Sequence, residues 1–323
     1  MTASAQPVNN SRARKYPSVS AIVVTFNPDL ATFETILAAI CPQVDRVVIV
    51  DNGSKPAVMD RLEQLSARHD CILKALGENL GIATAQNRGI EAVKDYVRGE
   101  ALDSHFALFL DHDSIPAGNM VQCLLEADSR IRERGERVGG VGPVTLDKRT
   151  GTAARFMRER RFWLNREKCP SDVPELPVDF LISSGTLTRL DVLDDVGGMN
   201  DGLFIDHVDT EWCLRALARG YRLYAARDAL LTHSLGDEVV EVWSGRWREV
   251  FVHSPIRDYY ASRNALLLLR HVPMSFAWRA FLSVRLVAQI MFFGFFVAPR
   301  RQRLKLMGKG LLDGMSGRSG KVN

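Results

Sequence analysis

The chain has 323 residues, 46% of them hydrophobic and 25% charged, which is average for a globular protein and excludes disordered, collagenous and disulfide-scaffold classes. Its net charge of +4 is unevenly spread: residues 270–323 hold ten Lys and Arg against one acid, Asp313, a local +9 that leaves −5 on residues 1–269. An acidic body with a basic tail points to an anionic partner at the tail alone and argues against nucleic acid as a partner. The five cysteines are odd in number and form no CxxC, so neither a zinc site nor a disulfide framework is signalled, and a reducing compartment is expected.

Residues 1–17 are polar and basic and read as a disordered leader with no secretory signal. Beyond them, β-branched apolar runs alternate with segments of helical spacing. Ser20 to Thr25 predicts a strand closed by Phe26-Asn27-Pro28, and Leu30 to Ile40 a helix. Arg46 to Val50 predicts a second strand, closed by Asp51-Asn52-Gly53-Ser54, and Met59 to Arg68 a helix. Cys71 to Leu76 reads as strand, Gly81 to Val97 as helix, and Phe106 to Leu110 as a strand running into Asp111-His112-Asp113. Met120 to Arg134 has an amphipathic helical pattern, and Val138 to Val144 reads as another strand. Near-continuous apolar strands separated by helices predict an α/β fold, a mostly parallel Rossmann-like sheet with helices on both faces.

From Thr145 the pattern loosens. Residues 145–177 read as loop-rich, with Pro170, Pro174 and Pro177 crowded together. A strand over Val178 to Ser183, a helix over Val208 to Arg219, a short strand at Leu230 to Thr232 and a helix over Pro255 to Arg270 follow. The last apolar feature is Phe281 to Ala298, whose uninterrupted part, Leu286 to Ala298, falls short of the roughly 20 residues of a spanning helix. Flanked by Arg279, Arg285, Arg300, Arg301 and Arg303, it reads as an amphipathic helix in the interface of an anionic leaflet. The alternative is a core helix beside a solvated basic tail.

In an open parallel sheet the ligand lies beyond the carboxyl ends of the strands. Thr25-Phe26-Asn27, Asp51-Asn52 and Asp111-His112-Asp113 occupy three such ends. Any one of them is explained by the turn-forming habit of Asn and Asp, but three converging ends favour a nucleotide site. Asp111-x-Asp113 is a hard-oxygen pair suited to Mg²⁺ or Mn²⁺ on a diphosphate. No GxGxxG follows the first strand and no GxxxxGK[ST] occurs, so dinucleotide and P-loop readings fail. A second acidic group, Asp206, Asp209 and Glu211, lies at the start of a helix, where acids are favoured by the macrodipole; that accounts for Glu211 and leaves Asp209 a candidate for chemistry. His233 ends a short strand and can complete a metal's coordination.

These residues carry a resemblance. Val19 to Asn27, Val50 to Ser54, Asn79-Leu80-Gly81 with Gln86 to Gly89, Asp111 to Asp113, Ser183-Ser184-Gly185 and Asp206 to Trp212 follow the order of motifs in the inverting glycosyltransferases of family 2. Phe204 to Arg215 and Arg257 to Asn264 are most similar to bacterial rhamnosyltransferases of surface-polysaccharide (O-antigen-type) synthesis. The resemblance implies a GT-A fold over 18–269, a nucleotide-binding half (18–144) and an acceptor-side half (145–269), with 270–323 a basic helical tail. It also implies that Thr25, Asn27 and Asp51 hold the nucleoside, Asp51 by pairing with a thymine or uracil edge. Asn79, Gly81 and Arg88 would line the nucleotide–sugar pocket. Asp113 and His233 would ligate Mg²⁺ or Mn²⁺, with Asp111 near the ribose or sugar. Asp209 matches the catalytic base, with Asp206 its rival.

Arg257, Tyr259, Tyr260, Arg263 and Asn264 are expected to touch acceptor or phosphate, the alternative being a helix that packs its tyrosines on the sheet. The activity implied is transfer of L-rhamnose from dTDP-L-rhamnose to a lipid-linked saccharide at the cytoplasmic face of the inner membrane, with 270–323 on the anionic surface. A UDP-dependent hexosyl- or galactofuranosyltransferase would share most of these residues. A sugar-phosphate nucleotidyltransferase would need a Gly-rich phosphate loop after the first strand, which Thr25 to Asp29 is not.

Overall fold

The structure, a computed structural model, describes residues 17–161, 163–233, 238–243 and 247–322, so the leader expected over 1–17 lies outside the described residues except for Pro17. In chain order the elements are β1 (Ser18–Thr25), α1 (Leu30–Ile40), β2 (Arg46–Asp51), α2 (Pro56–Arg68), β3 (Ile72–Ala75), α3 (Ile82–Tyr96), β4 (His105–Asp111) and β5 (Ser114–Pro116). Then come α4 (Met120–Glu133), β6 (Val138–Asp147), β7 (Phe156–Arg160), β8 (Trp163–Glu167), β9 (Glu175–Val178), β10 (Leu187–Arg189), α5 (Leu190–Val196) and α6 (Val208–Ala218). The remainder is β11 (Arg222–His233), β12 (Glu238–Trp243), β13 (Trp247–Val252), α7 (Pro255–His271), α8 (Phe276–Phe296) and α9 (Arg300–Met315).

The central sheet runs β3-β2-β1-β4-β10-β6-β11-β5, with β9 also on β11. β1, β2, β3 and β4 are parallel, as are β6 and β11, while β5, β9 and β10 run antiparallel to their neighbours. Successive residues of a strand point to opposite faces. Ala21 and Val23 of β1 therefore feed one core with α1 and α4, and Ile22 and Val24 feed the other with α3. Strands apolar on every residue follow from that double coverage.

Register decides what reaches the rim. Thr25 pairs with Asp51 and Val24 with Asp111, so the ends of β1, β2 and β4 stand side by side. The antiparallel pairing of β5 with β11 sets His233 opposite Ser114, one residue after Asp113.

Three expectations are corrected. Residues 145–177 hold the β7–β8 hairpin and β9 besides loop. The strand expected over Val178 to Ser183 stops at Val178, because the chain leaves the ladder: Asp179 N–H donates to the Met157 carbonyl and Leu181 bonds Cys213 Sγ through both its N–H and its C=O. The short strand at Leu230 is the end of the 12-residue β11, whose Leu223 to Ala226 stretch is buried on both faces.

α8 is also longer than the apolar run that announced it. Its 21 residues, from Phe276, make it long and apolar enough by length and composition to cross a membrane. Both its ends, however, are tied to one body. Trp278 and Leu282 enter the core, and Gly294 rests on Leu304 and near Met307 of α9. α9 in turn lies on α7 so closely that a side chain at Gly310 would overlap the Tyr259 carbonyl.

Residues past 300 also bury charge. Arg303 (3% exposed) meets Asp258 (6%) at 2.5 Å and donates to the His253 carbonyl at 2.9 Å, while Tyr259 Oη donates to Asp313 at 2.8 Å. Arg318 pairs with Asp313 and Lys321 with Glu78, so part of the basic excess is neutralised within the fold.

Removing one partner of a buried pair strands the other charge. Arg303→Met is expected to cost about 3–5 kcal/mol in urea unfolding, and Arg303→Met with Asp258→Leu to recover most of it. A single variant as stable as the parent would show that this pair does not hold α9 in place.

Candidate active site

The rim begins with two turns that brace each other. Asp51, 1% exposed, accepts from Thr25 Oγ1 at 2.9 Å, from the Ser54 hydroxyl, and from the Gly53 and Ser54 amides at 3.1 and 2.8 Å. Four donors fill the four lone-pair sites of a carboxylate. Thr25 and Asp51 were expected to meet the nucleoside directly; here they are the frame of the loop. Asn27, at φ 47°, spans to the same loop: its N–H donates to Ser54 Oγ at 2.7 Å and its Oδ1 accepts from Lys55 N–H at 3.0 Å. Asn27 is exposed at the rim, and so is Phe26 (43%), an aromatic face that its place in a turn signal concealed.

Asn52 joins the second turn to the start of α3. Its amide donates to Asn79 Oδ1 at 3.2 Å and its Oδ1 accepts from Leu80 N–H at 2.9 Å; Asn79 Oδ1 also accepts from Gly81 N–H at 3.0 Å. Gly81 has φ 92°, and a Cβ there would lie 2.5 Å from the Phe204 carbonyl oxygen, which accepts from Ile82 N–H. Only glycine lets the loop over 200–207 close on α3. Arg88 does not join this site: its guanidinium sits in solvent and pairs with Glu91 at 2.8 Å, one turn along the same helix.

At the centre are Asp111, Asp113, Asp209 and His233. His233 Nδ1 stands 3.3 Å from Asp113 Oδ1 and 2.7 Å from Ser114 Oγ. Ser184 Oγ donates to Ser114 Oγ at 2.9 Å and accepts from Asp111 N–H at 3.1 Å, which ties the loop before β10 to both acids. Burial works to raise the Asp113 pKa, yet the His233 contact and charge, aided by His112 and Ser114, hold it below the ordinary value. His233 is the reciprocal case: burial lowers it, and Asp113 and Asp111 bring it above its ordinary value. Asp111 is pushed up to about 6 by burial and by the Asp113 charge.

Asp209 lies in the first turn of α6. Burial, then the Asp111 charge, push it up to about 6 against two stabilising bonds from the Ser183 N–H and hydroxyl. Ser183 Oγ also accepts from Gln86 of α3 at 2.9 Å. Ser114 was missed from sequence although it directly follows Asp113, and adjacency was the available signal. Asp206 differs from Asp209. It forms a two-pronged pair with Arg257, at 3.2 Å from Nε and 2.5 Å from Nη2.

Tyr260 and Arg263, expected at the acceptor, are instead buried at 3% and 1%. Arg263 donates to the carbonyls of Gly202 (3.1 Å), Leu203 (3.0 Å) and Gly320 (2.5 Å). Asn264 reaches the carbonyls of Leu203, Ile205 and Asp206 at 2.9, 2.8 and 2.9 Å. Tyr260 stacks on Phe204 at 4.9 Å and accepts from Val322 N–H at 2.9 Å. The segment they grip holds Phe204, Asp206 and His207 at φ 64°, 63° and 62°, positive values that L-residues adopt only under constraint.

A divalent cation is the group this fold implies. Among the described residues, no three His, Cys, Asp or Glu side chains converge on one point. Asp113 and His233 nevertheless make a fitting partial set. Their 3.3 Å separation is close to the edge of an octahedron, about 3 Å for bonds of about 2.1 Å. The remaining positions would be left for substrate oxygens and water.

The chain matches the model of Glycosyl transferase family 2 over residues 20–196. It is 32% identical over 314 residues to the dTDP-rhamnosyl transferase RfbF of Shigella flexneri, covering 94% of this chain and 97% of that one. Its fold resembles S. aureus TarS (TM-score 0.55, 14% identity), covering 91% of this chain but only 48% of TarS. It also resembles GalNAc-T7, solved with UDP, GalNAc and Mn²⁺ (TM-score 0.55, 14% identity), covering 84% of this chain and 55% of that one. A family model over more than half the chain removes the nucleotidyltransferase alternative, and the chain belongs to glycosyl transferase family 2 as a glycosyltransferase of the GT-A fold.

Proposed function

We propose that this enzyme transfers L-rhamnose from dTDP-L-rhamnose to a lipid-linked saccharide, with inversion, in the synthesis of a bacterial surface polysaccharide. Similarity to a dTDP-rhamnosyl transferase over nearly the whole chain supports the donor. The observation that carries the mechanism is Asp209: a carboxylate with a pKa near 6, oriented by Ser183, on the same rim as Asp111 and Asp113.

An inverting glycosidase uses two carboxyl groups, one to protonate the leaving oxygen and one to activate the nucleophile. A nucleoside diphosphate is a good leaving group, and Mg²⁺ or Mn²⁺ held by Asp113 and His233 would neutralise the charge it develops. One carboxylate is then sufficient. Asp209 takes the proton of the acceptor hydroxyl as that oxygen attacks the anomeric carbon from the face opposite the diphosphate. Asp206 is the weaker candidate because Arg257 occupies both its oxygens. Asn27, the exposed Phe26 and the Asn52–Asn79 brace support a nucleoside at the ends of β1 and β2. Asp111 faces the ribose or sugar.

Membrane association is the second half of the proposal. Val284, Val287, Met291 and Phe295 of α8 are 69%, 61%, 54% and 54% exposed, and their spacing of three and four residues draws one apolar stripe. Arg300, Arg301 and Lys305 lie exposed just beyond it. An apolar stripe with adjacent cations suits a helix lying in an anionic leaflet, on the cytoplasmic face, with the acceptor's lipid in the same plane.

Five measurements test this reading. In thermal shift with Mn²⁺, dTDP-L-rhamnose at 100 times its Kd should stabilise by about 2.7 kcal/mol. EDTA or Asp113→Asn should remove the shift, whereas stabilisation by UDP-sugars alone would replace the donor. Asp209→Asn should lower turnover by about 10²–10⁴-fold while donor binding persists. Because the base must be ionised, wild-type kcat/KM should fall as pH drops through about 6. The same raised pKa makes Asp209 a cost to the folded state that builds as pH rises from about 4 and is complete above about 6. Asp209→Asn should therefore melt higher than wild type at pH 8 and lose that advantage below about pH 4. Full turnover in this variant would return the base to Asp206. Replacing Val284, Val287, Met291 and Phe295 by Ser should release the protein from phosphatidylglycerol vesicles, and unchanged binding would reject the stripe as the contact.

A further inference from the structure

Residues 316–322, which follow α9, return along the loop that precedes α6. The turn out of α9 is closed by the Arg318 N–H on the Asp313 carbonyl at 2.9 Å and by the Arg318 guanidinium on the Asp313 carboxylate at 3.2 Å. Gly317 and Gly320 take φ 77° and 85°, which redirects the chain. The Gly320 N–H then donates to the Gly202 carbonyl at 2.6 Å, and the Gly320 carbonyl accepts from Arg263 at 2.5 Å. The Val322 N–H donates to Tyr260 Oη at 2.9 Å. Ser319 lies against the same loop: a Cβ at Gly202 would come within 3.0 Å of the Ser319 Cβ.

The Gly202 carbonyl is where three parts of the molecule meet. It accepts from Arg263 of α7 at 3.1 Å as well as from Gly320, so loop, helix and returning chain share one oxygen. Arg263 is 1% exposed, and withdrawal of the Gly320 carbonyl would leave an N–H of a buried guanidinium unpaired. The loop held in this way carries Phe204, Asp206 and His207 at positive φ and runs directly into the first turn of α6, which bears Asp209. Lys321 also reaches Glu78, the neighbour of Asn79, at 3.4 Å. Both of those side chains are exposed, so water screens their pair and the main-chain bonds make the attachment.

We infer that residues 316–322 are a strap that positions the base: through Gly320 and Val322 they hold the loop before α6, and with it Asp209, in the orientation that proton transfer requires. The strap acts through the loop and not on the substrate, so Gly320 is a positioning residue. This inference rests on Asp209 as the base of the proposed function.

A Cβ at Gly320 would meet nothing within 4 Å, so Gly320→Ala strains the backbone at positive φ without a packing clash. Gly99, at φ 92° in equally open surroundings beyond α3, makes Gly99→Ala the matched control. Water serves as the acceptor: release of dTDP from dTDP-L-rhamnose is followed on the full chain with Mn²⁺, beside donor affinity by calorimetry and amide hydrogen exchange. Gly320→Ala should lower kcat by about ten- to hundredfold while donor Kd stays within about twofold, and should speed exchange over 200–209. Gly99→Ala should do neither. Tyr260→Phe, which keeps the ring on Phe204 but removes the acceptor of the Val322 N–H, should move both readouts the same way. A fall in kcat matched by an equal loss of donor affinity, or a lower melting temperature with kcat unchanged, would make the segment structural only and overturn the proposal. Unchanged exchange over 200–209 in both variants would overturn it as well. If Asp209→Asn releases dTDP as fast as wild type, the base assignment fails instead. If wild type binds no dTDP-L-rhamnose, the donor assignment fails, and in either case the exchange data alone decide whether the strap holds the loop.

Discussion

Arg263 is almost wholly withdrawn from water and satisfies its guanidinium chiefly with main-chain carbonyls, two of them in the loop before α6 and one at Gly320. A buried charge without partners is severely unfavourable, so this set of bonds has to be complete for the fold to tolerate it. With Asn264 beside it, the arginine holds a segment that includes three non-glycine residues at positive φ. Their strain is sustained from one side by α7 and from the other by the close approach of Gly81. The start of α6, and with it Asp209, takes its position from that clamp.

The acids at the rim are tuned by what surrounds them. Asp113 is stabilised as a carboxylate by His233, while Asp111 and Asp209 lack such a partner and are pushed towards the neutral form. Three carboxyl groups in one small region thus take two characters, an ionised one beside an imidazole and two with pKa values near neutrality. Ser114, Ser183 and Ser184 orient these acids and their neighbours without adding charge.

The sheet was legible because its signal is local. β-branched runs ending in Asn or Asp put Thr25, Asp51 and Asp111 at strand ends, and parallel pairing aligns those ends. The family motifs likewise pointed to Asp113, Asp209 and His233, and the fold brings all three to one rim. Arg263 and Tyr260 were harder to read because their partners are main-chain groups about sixty residues away, which have no sequence signature. Arg88 is placed by a local partner instead, Glu91 one turn along its own helix. The β7–β8 hairpin was hidden by its arginine- and glutamate-rich composition, which lacks the alternation of a half-buried strand. α8 was measured by its uninterrupted apolar run, whereas its first turns are held by packing of Trp278 and Leu282.

The buried pair of Arg303 with Asp258 has a consequence for the order in which the molecule is completed. Asp258 belongs to the helix that grips the loop before α6, and its counter-ion lies 45 residues later in the chain. A ribosome therefore makes the sheet, the acids and the apolar stripe of α8 before it makes the cation that lets α7 settle. During that interval the apolar stripe of α8 exists while the loop that positions Asp209 is still unclamped, so the site at the rim is completed only after the last helix has been made.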